Sequence, residues 1–161
     1  MLLSLVLAAC ASDEPPSPCP QVVAVSDASR LTKFDPGGRD LTDIRFEAEL
    51  ENLQFTCEYE DGMIEGELTV RIAASRGPAD ANRLARLNYF VAVATLDRRV
   101  IAREEFDVAI PFPGNSTRGG VIEELTPRIP LEPGESGSDY TIYVGLDLTS
   151  EELEFNRQSR R

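Results

Sequence analysis

Residues 44–59 read IRFEAELENLQFTCEY, and this stretch decides the fold class. Ile44, Phe46, Ala48 and Leu50 alternate with Arg45, Glu47 and Glu49, a period of two that places one set on each face of a β-strand. The phase then slips by one residue, and Leu53, Phe55, Cys57 and Tyr59 carry it on. One extra residue near Glu51-Asn52 is what a β-bulge or a strand break would insert. Glu60-Asp61-Gly62 follows as a hairpin signal, because Asp-Gly tolerates the positive φ of a two-residue turn.

The same period recurs outward along the chain. Leu68, Val70, Ile72 and Ala74 alternate with Thr69, Arg71 and Ala73, and Arg76-Gly77-Pro78 closes that strand. Residues 87–96, LNYFVAVATL, are apolar at both parities and predict a central strand, with Tyr89 and Phe90 as core and near-core residues. Asp97-Arg98-Arg99 makes the next turn. Phe106, Val108, Ile110 and Phe112 then share a face, opposite Glu105 and Asp107, until Pro111 and Pro113 end the run. Residues 140–148, YTIYVGLDL, hold the cleanest alternation. Val22–Val25 is a short apolar start, followed by a turn at 26–29 and a loop at Pro36-Gly37-Gly38. Residues 114–120 read as a loop with Gly119-Gly120 as a turn, and 121–131 as a mixed segment broken by Pro127 and Pro130.

About seven strands joined by short turns, with no long helical period between them, predict an all-β antiparallel sandwich of immunoglobulin-like arrangement. A small β-barrel is the alternative. Thr149 with Glu152 three residues on forms a capping box for a short C-terminal helix, which Leu153 and Phe155 would dock. Arg157, Arg160 and Arg161 close it, where cations suit the helix dipole and a solvated tail is expected.

Composition narrows the chemistry. The chain of 161 residues carries 28 acidic and 16 basic residues, a net charge of −12, and Lys33 is its lone lysine. That balance repels nucleic-acid phosphates, so no nucleic-acid partner is expected. With no histidine, Ser-His-Asp and Cys-His nucleophiles and His-containing zinc sites are impossible. The carboxylate pairs Glu104-Glu105, Glu123-Glu124 and Glu151-Glu152 are sequence neighbours. On a strand such neighbours point to opposite faces, so they do not converge for acid–base work. Glu58, Glu60 and Asp61 offer carboxylates at a hairpin tip, but their spacing matches no EF-hand loop. Asn115-Ser116-Thr117 is a glycosylation sequon and by itself assigns no chemistry. No catalytic residue, metal site or cofactor is predicted, and no ligand-binding residue can be named.

The N-terminus is an address. Residues 1–9, MLLSLVLAA, are apolar and uncharged, and nine residues cannot cross a hydrocarbon layer of about 30 Å. They have the length of a signal-peptide core, although no basic residue precedes them, as in a signal truncated at a misassigned start. Leu7-Ala8-Ala9-Cys10 resembles the bacterial lipobox. That resemblance implies cleavage before Cys10, a diacylglycerol on its thiol, and acyl chains as the membrane partner. Residues 11–20, ASDEPPSPCP, follow as a Pro/Ser-rich tether, which leaves 21–161 as the single domain. Similarity to lipoproteins of two-membrane bacteria, with Ala11 and Ser12 after the cysteine, implies the outer rather than the inner membrane. If Cys10 is acylated, Cys19 and Cys57 remain as a pair for an oxidising compartment. Closing that loop would remove roughly 4 kcal/mol of unfolded-state entropy.

The stretches CPQVVAV, RGPAD, YFVAV and LTSEEL are similar to those of short uncharacterised bacterial lipoproteins, a resemblance that implies the compartment and no activity. The expectation is a periplasm-facing, non-catalytic binding or accessory domain whose partner is an envelope protein or cell-wall component. A His-independent carboxylate hydrolase and a small-ligand carrier are the alternatives.

Overall fold

The computed structural model of the chain describes residues 17–159. Cys10 and the signal-like segment lie outside the described residues. Nine strands form: β1 (Gln21–Ala24), β2 (Arg30–Phe34), β3 (Ile44–Glu60), β4 (Met63–Arg76), β5 (Leu84–Thr95), β6 (Val100–Pro111), β7 (Arg118–Leu125), β8 (Arg128–Pro130) and β9 (Tyr140–Leu146). A helix, α1 (Ser150–Ser159), closes the described chain.

The strands build an antiparallel sandwich of two open sheets, not a closed barrel. One sheet has the order β1-β9-β5-β6; the other has β2-β3-β4-β7, with β8 beside the far end of β4. The chain changes sheet between β1 and β2, β4 and β5, β6 and β7, and β8 and β9, so neither sheet is a simple meander. One pairing departs from the antiparallel expectation: β1 runs parallel to β9, Gln21 facing Thr141 and Ala24 facing Val144. The apolar start at Val22 therefore caps a sheet edge instead of opening a hairpin.

Facing side chains fill the space between the sheets. Ile64, Leu68, Val70 and Ile72 from β4 are fully buried against Ala85 and Tyr89 of β5, Ile110 of β6, and Ile142 and Val144 of β9. Each large aliphatic side chain removed from water in this way contributes about 1.5–3 kcal/mol. β5 lies between β9 and β6, and its run Val91–Ala94 is buried at both parities. On its outer face, the Phe90 ring lies over Gly145, where a Cβ would come within 2.6 Å of it. The Arg103 guanidinium sits 4.0 Å above that ring.

The phase slip of the opening stretch is a bulge inside one continuous strand. Leu50 faces Ile72 and Asn52 faces Arg71, which leaves Glu51 as the inserted residue. Its carboxylate accepts a hydrogen bond from Arg71 Nε at 2.6 Å. The β3–β4 turn is a two-residue one, with Asp61 at φ 48° and Gly62 at φ 75°, as the Asp-Gly signal required.

Residues 114–131 differ from their reading as loop and mixed segment. Gly119 and Gly120 belong to β7, facing Ala74 and Ala73. Glycine is there for closeness: a Cβ on Gly119 would lie 2.7 Å from the Pro111 carbonyl oxygen and 2.8 Å from Ile110 Cγ2. Pro127 interrupts the ladder between β7 and β8 without ending the association with β4. The strand RLTKF (β2) gave too short an alternation to be read at all.

The capping box forms as predicted, with Thr149 N–H donating to Glu152 Oε2 (2.9 Å) and Glu152 N–H to Thr149 Oγ1 (3.3 Å). The helix packs on β2 through Phe155, whose ring meets Phe34 edge-on at 5.3 Å. Buried Asn156 donates from Nδ2 to the carbonyls of Asp27 (2.9 Å) and Arg30 (2.7 Å). Lys33 reaches Glu152 at 2.7 Å. The expected solvated arginine end is anchored at its first member, since Arg157 pairs with Asp27 at 3.0 Å.

Candidate functional site

Residues 17–20 enter the domain at one end of the sandwich. Cys19 and Cys57 form a disulfide, with their Cα atoms 5.8 Å apart. Beside it, the Tyr59 hydroxyl donates to the Pro18 carbonyl (2.7 Å) and accepts from Gly137 N–H (2.6 Å). Gly137 lets the chain pass, since a Cβ there would lie 2.1 Å from the Pro18 oxygen. Register fixes which end this is: Gln21, Thr141, Ala94 and Val100 form one row across the first sheet. Cys19 and the β5–β6 turn therefore lie just beyond the same row, at the end that also carries the β3–β4 turn.

The outer face of the second sheet holds two shallow clefts. The one nearer the tether, about 440 Å³, is lined by Thr56, Glu58, Glu65, Glu67 and Arg128. Glu58 and Glu65 stand directly opposite each other on β3 and β4, and like charges so placed repel. Arg128 of β8 offsets this by pairing with Glu65 at 3.0 Å. Four glutamates line this cleft, Glu58, Glu60, Glu65 and Glu67, and the facing of Glu58 and Glu65 was invisible to the sequence reading because it depends on hairpin register. Acid–base catalysis also needs one carboxyl kept protonated by a dry surround. This cleft is open, and an arginine holds one of its four acids. Among the described residues, no group of three Asp, Glu, His or Cys side chains is placed to hold a metal ion.

The second cleft, about 540 Å³, lies toward the other end of the same face. Two rows cross it. The first is Arg30–Glu49–Ala73–Gly120 and the second is Thr32–Glu47–Ser75–Arg118, each set by the β2–β3, β3–β4 and β4–β7 registers. Ala73 and Gly120 leave a depression where larger side chains would stand. The flanking charges are paired off: Arg30 with Glu49 at 3.5 Å and Arg71 with Glu51 at 2.6 Å. In the second row, the side chains of Thr32, Glu47, Ser75 and Arg118 make no hydrogen bond or ion pair among the described residues. Glu47 and Arg118 are two strand spacings apart, about 10 Å between backbones.

The sequence-neighbour acids are spent elsewhere. Glu105 pairs with Arg103 at 2.9 Å, and Glu151 with Arg39. Glu152 is held below the usual carboxylate range despite its burial, by Lys33 and the Thr149 N–H. Glu124 faces outward. Glu123 faces inward at the β7 edge, near the buried Tyr89 hydroxyl but outside hydrogen-bond geometry. Burial first, and then that charge, push the Tyr89 pKa up. An inward charge on an edge strand also discourages a further strand from pairing there.

The strongest buried polar group lies at the β4–β5 corner and escaped the sequence reading. Asp80 accepts from Arg76 Nε (2.7 Å), Asn82 N–H (3.0 Å) and Arg83 N–H (2.9 Å). Arg83 in turn donates to the Phe112 carbonyl at 3.0 and 3.1 Å. Asp80 is a corner brace, since its carboxylate ties Arg76 at the end of β4 to the Asn82 and Arg83 N–H groups just before β5.

These features define an open β-sandwich with the segment at Pro18 and Cys19 braced to one end and a polar cleft toward the other. No family model matches the chain, and no curated protein does. Among solved structures, it is similar to the variable domain of the Streptococcus agalactiae AgI/II polypeptide BspA. The identity is 14% over 77% of this chain and 75% of that one, with a TM-score of 0.18, too low to carry an argument. No helix among the described residues is long and apolar enough to cross a membrane.

Proposed function

We propose that this chain is a lipid-anchored lipoprotein of the cell envelope, facing the periplasm, in the outer rather than the inner membrane. Its sandwich is a non-catalytic binding or accessory domain for an envelope protein or cell-wall component. The observation that carries this reading is the Cys19–Cys57 disulfide. Disulfides persist in oxidising compartments, and this one consumes the two cysteines left after Cys10. It also fixes the foot of the tether to β3, so a pull on Cys10 reaches the sheet and does not peel away β1.

The contact surface on this reading is the cleft around Glu47 and Ser75. Ten residues of β3 separate Glu47 from Cys57, and at about 3.3 Å per residue the cleft stands some 30 Å from the tether junction, pointing away from the lipid. The hydrolase alternative draws on the glutamates of an open cleft, Glu58, Glu60, Glu65 and Glu67, and fits less well. The carrier alternative needs a lumen where the core side chains now pack.

Intact-mass analysis of the protein extracted from its own membranes tests the proposal. The expected mass lacks residues 1–9, carries acyl chains on Cys10 and shows no alkylatable thiol without reductant. Material with Met1 present, no acyl group and two free thiols would remove it.

A further inference from the structure

We propose that the second cleft binds a free, zwitterionic tripeptide with small side chains, laid across the strands. This rests on the reading of that cleft as the domain's contact surface. In the row Thr32–Glu47–Ser75–Arg118, an unpaired carboxylate and an unpaired guanidinium flank a hydroxyl about 10 Å apart between backbones. All other charged groups lining this cleft are engaged, Arg30 with Glu49 and Arg71 with Glu51. An excess of one sign would select an anion or a cation. Equal and opposite charges carried on strands two spacings apart select a molecule carrying both.

A tripeptide fits that spacing. Extended, its ammonium and carboxylate are roughly 10 Å apart at 3.4 Å per residue. The ammonium meets Glu47, with the Thr32 hydroxyl beside it, and the carboxylate meets the planar fork of Arg118, a geometry suited to two parallel hydrogen bonds. The Ser75 hydroxyl lies beneath the central peptide group. Ala73 and Gly120 in the adjoining row leave space for methyl side chains. No aromatic ring lines the cleft, so it offers no stacking platform for a sugar or a base.

The test is titration of the isotope-labelled full chain with trialanine, following backbone amide signals. Saturable shifts are expected at Ala73, Ser75 and Gly120, with millimolar affinity. Glu47→Gln and Arg118→Gln should each weaken binding about tenfold, the loss of one charge-assisted contact of about 1.4 kcal/mol. N-acetyl-trialanine should bind the parent chain as weakly as trialanine binds Glu47→Gln, and should bind Glu47→Gln with no further loss. Both side chains are exposed, and an unchanged far-ultraviolet spectrum verifies the fold of each variant. Absence of shifts at those residues up to tens of millimolar, or binding indifferent to acetylation and to both substitutions, overturns the proposal. Such a failure leaves the lipid-anchor reading standing, because the mass of the membrane-extracted protein decides that one separately.

Discussion

Asp80→Asn is the sharpest test of how the second sheet is joined to the first. The Asp80 side chain is 1% exposed and its partner Arg76 is 27% exposed, so water compensates little when the charge is removed. Asparagine keeps one acceptor oxygen in place of two and turns donors toward the Arg76 guanidinium or the N–H groups of Asn82 and Arg83. Losing one or two charge-assisted hydrogen bonds at about 1.5–3 kcal/mol each gives a cost of about 3 kcal/mol. That agrees with the range for breaking a buried ion pair from one side. With an unfolding entropy of about 2.1 cal/mol/K per residue over some 140 residues, 3 kcal/mol lowers Tm by about 10 °C. Urea titration and thermal melts followed by circular dichroism measure both quantities.

The pH dependence supplies the sign. Burial alone would raise the Asp80 pKa, but Arg76 and the N–H groups of Asn82 and Arg83 outweigh it and hold the group below its ordinary 3.8. A carboxyl with a depressed folded pKa contributes stability that is complete above its unfolded value and is lost as pH falls through the folded value. The gap between the parent chain and Asp80→Asn should therefore be constant above about pH 5 and narrow below 3.8. A loss under 1 kcal/mol at neutral pH, or a gap that does not change on acidification, would refute the assignment of Asp80 as a charged brace.

Two further substitutions probe other joints. Asn156→Ala removes both hydrogen bonds to the Asp27 and Arg30 carbonyls and should cost about 2 kcal/mol; hydrogen exchange should rise first in α1, while uniform acceleration across the sandwich would contradict local undocking. Gly145→Ala drives a methyl into the Phe90 ring and should cost about 1–3 kcal/mol as overpacking; Phe90→Ala in the same chain should relieve the clash, so the two losses measured by urea titration should sum to more than the double variant shows.

Much of this architecture was legible because period-two alternation is a local property. In residues 44–59 it predicted the strand, its inward residues and the extra residue at Glu51, and the Asp-Gly pair predicted the turn after it. The central position of 87–96 followed from its apolar residues at both parities, and the cap at Thr149 from a spacing of three. What alternation missed was short or hidden: β2 has five residues, β7 carries two glycines after Arg118 that look like a turn, and the direction of β1 is set by its partner β9. Asp80 gave no sign either, because an acid beside Gly-Pro reads as loop until Arg76 and Arg83 are seen to close around it.

From the chain alone came an all-β sandwich, the pairing of Cys19 with Cys57, and the exclusion of histidine chemistry. The tertiary structure decided where function could lie. The row of Thr32, Glu47, Ser75 and Arg118 draws on four strands spread over more than half the chain, and only the registers of three strand pairs bring it into line. Alternation tells each residue which face it shares, but which residues stand side by side depends on bulges and sheet order that no local pattern encodes.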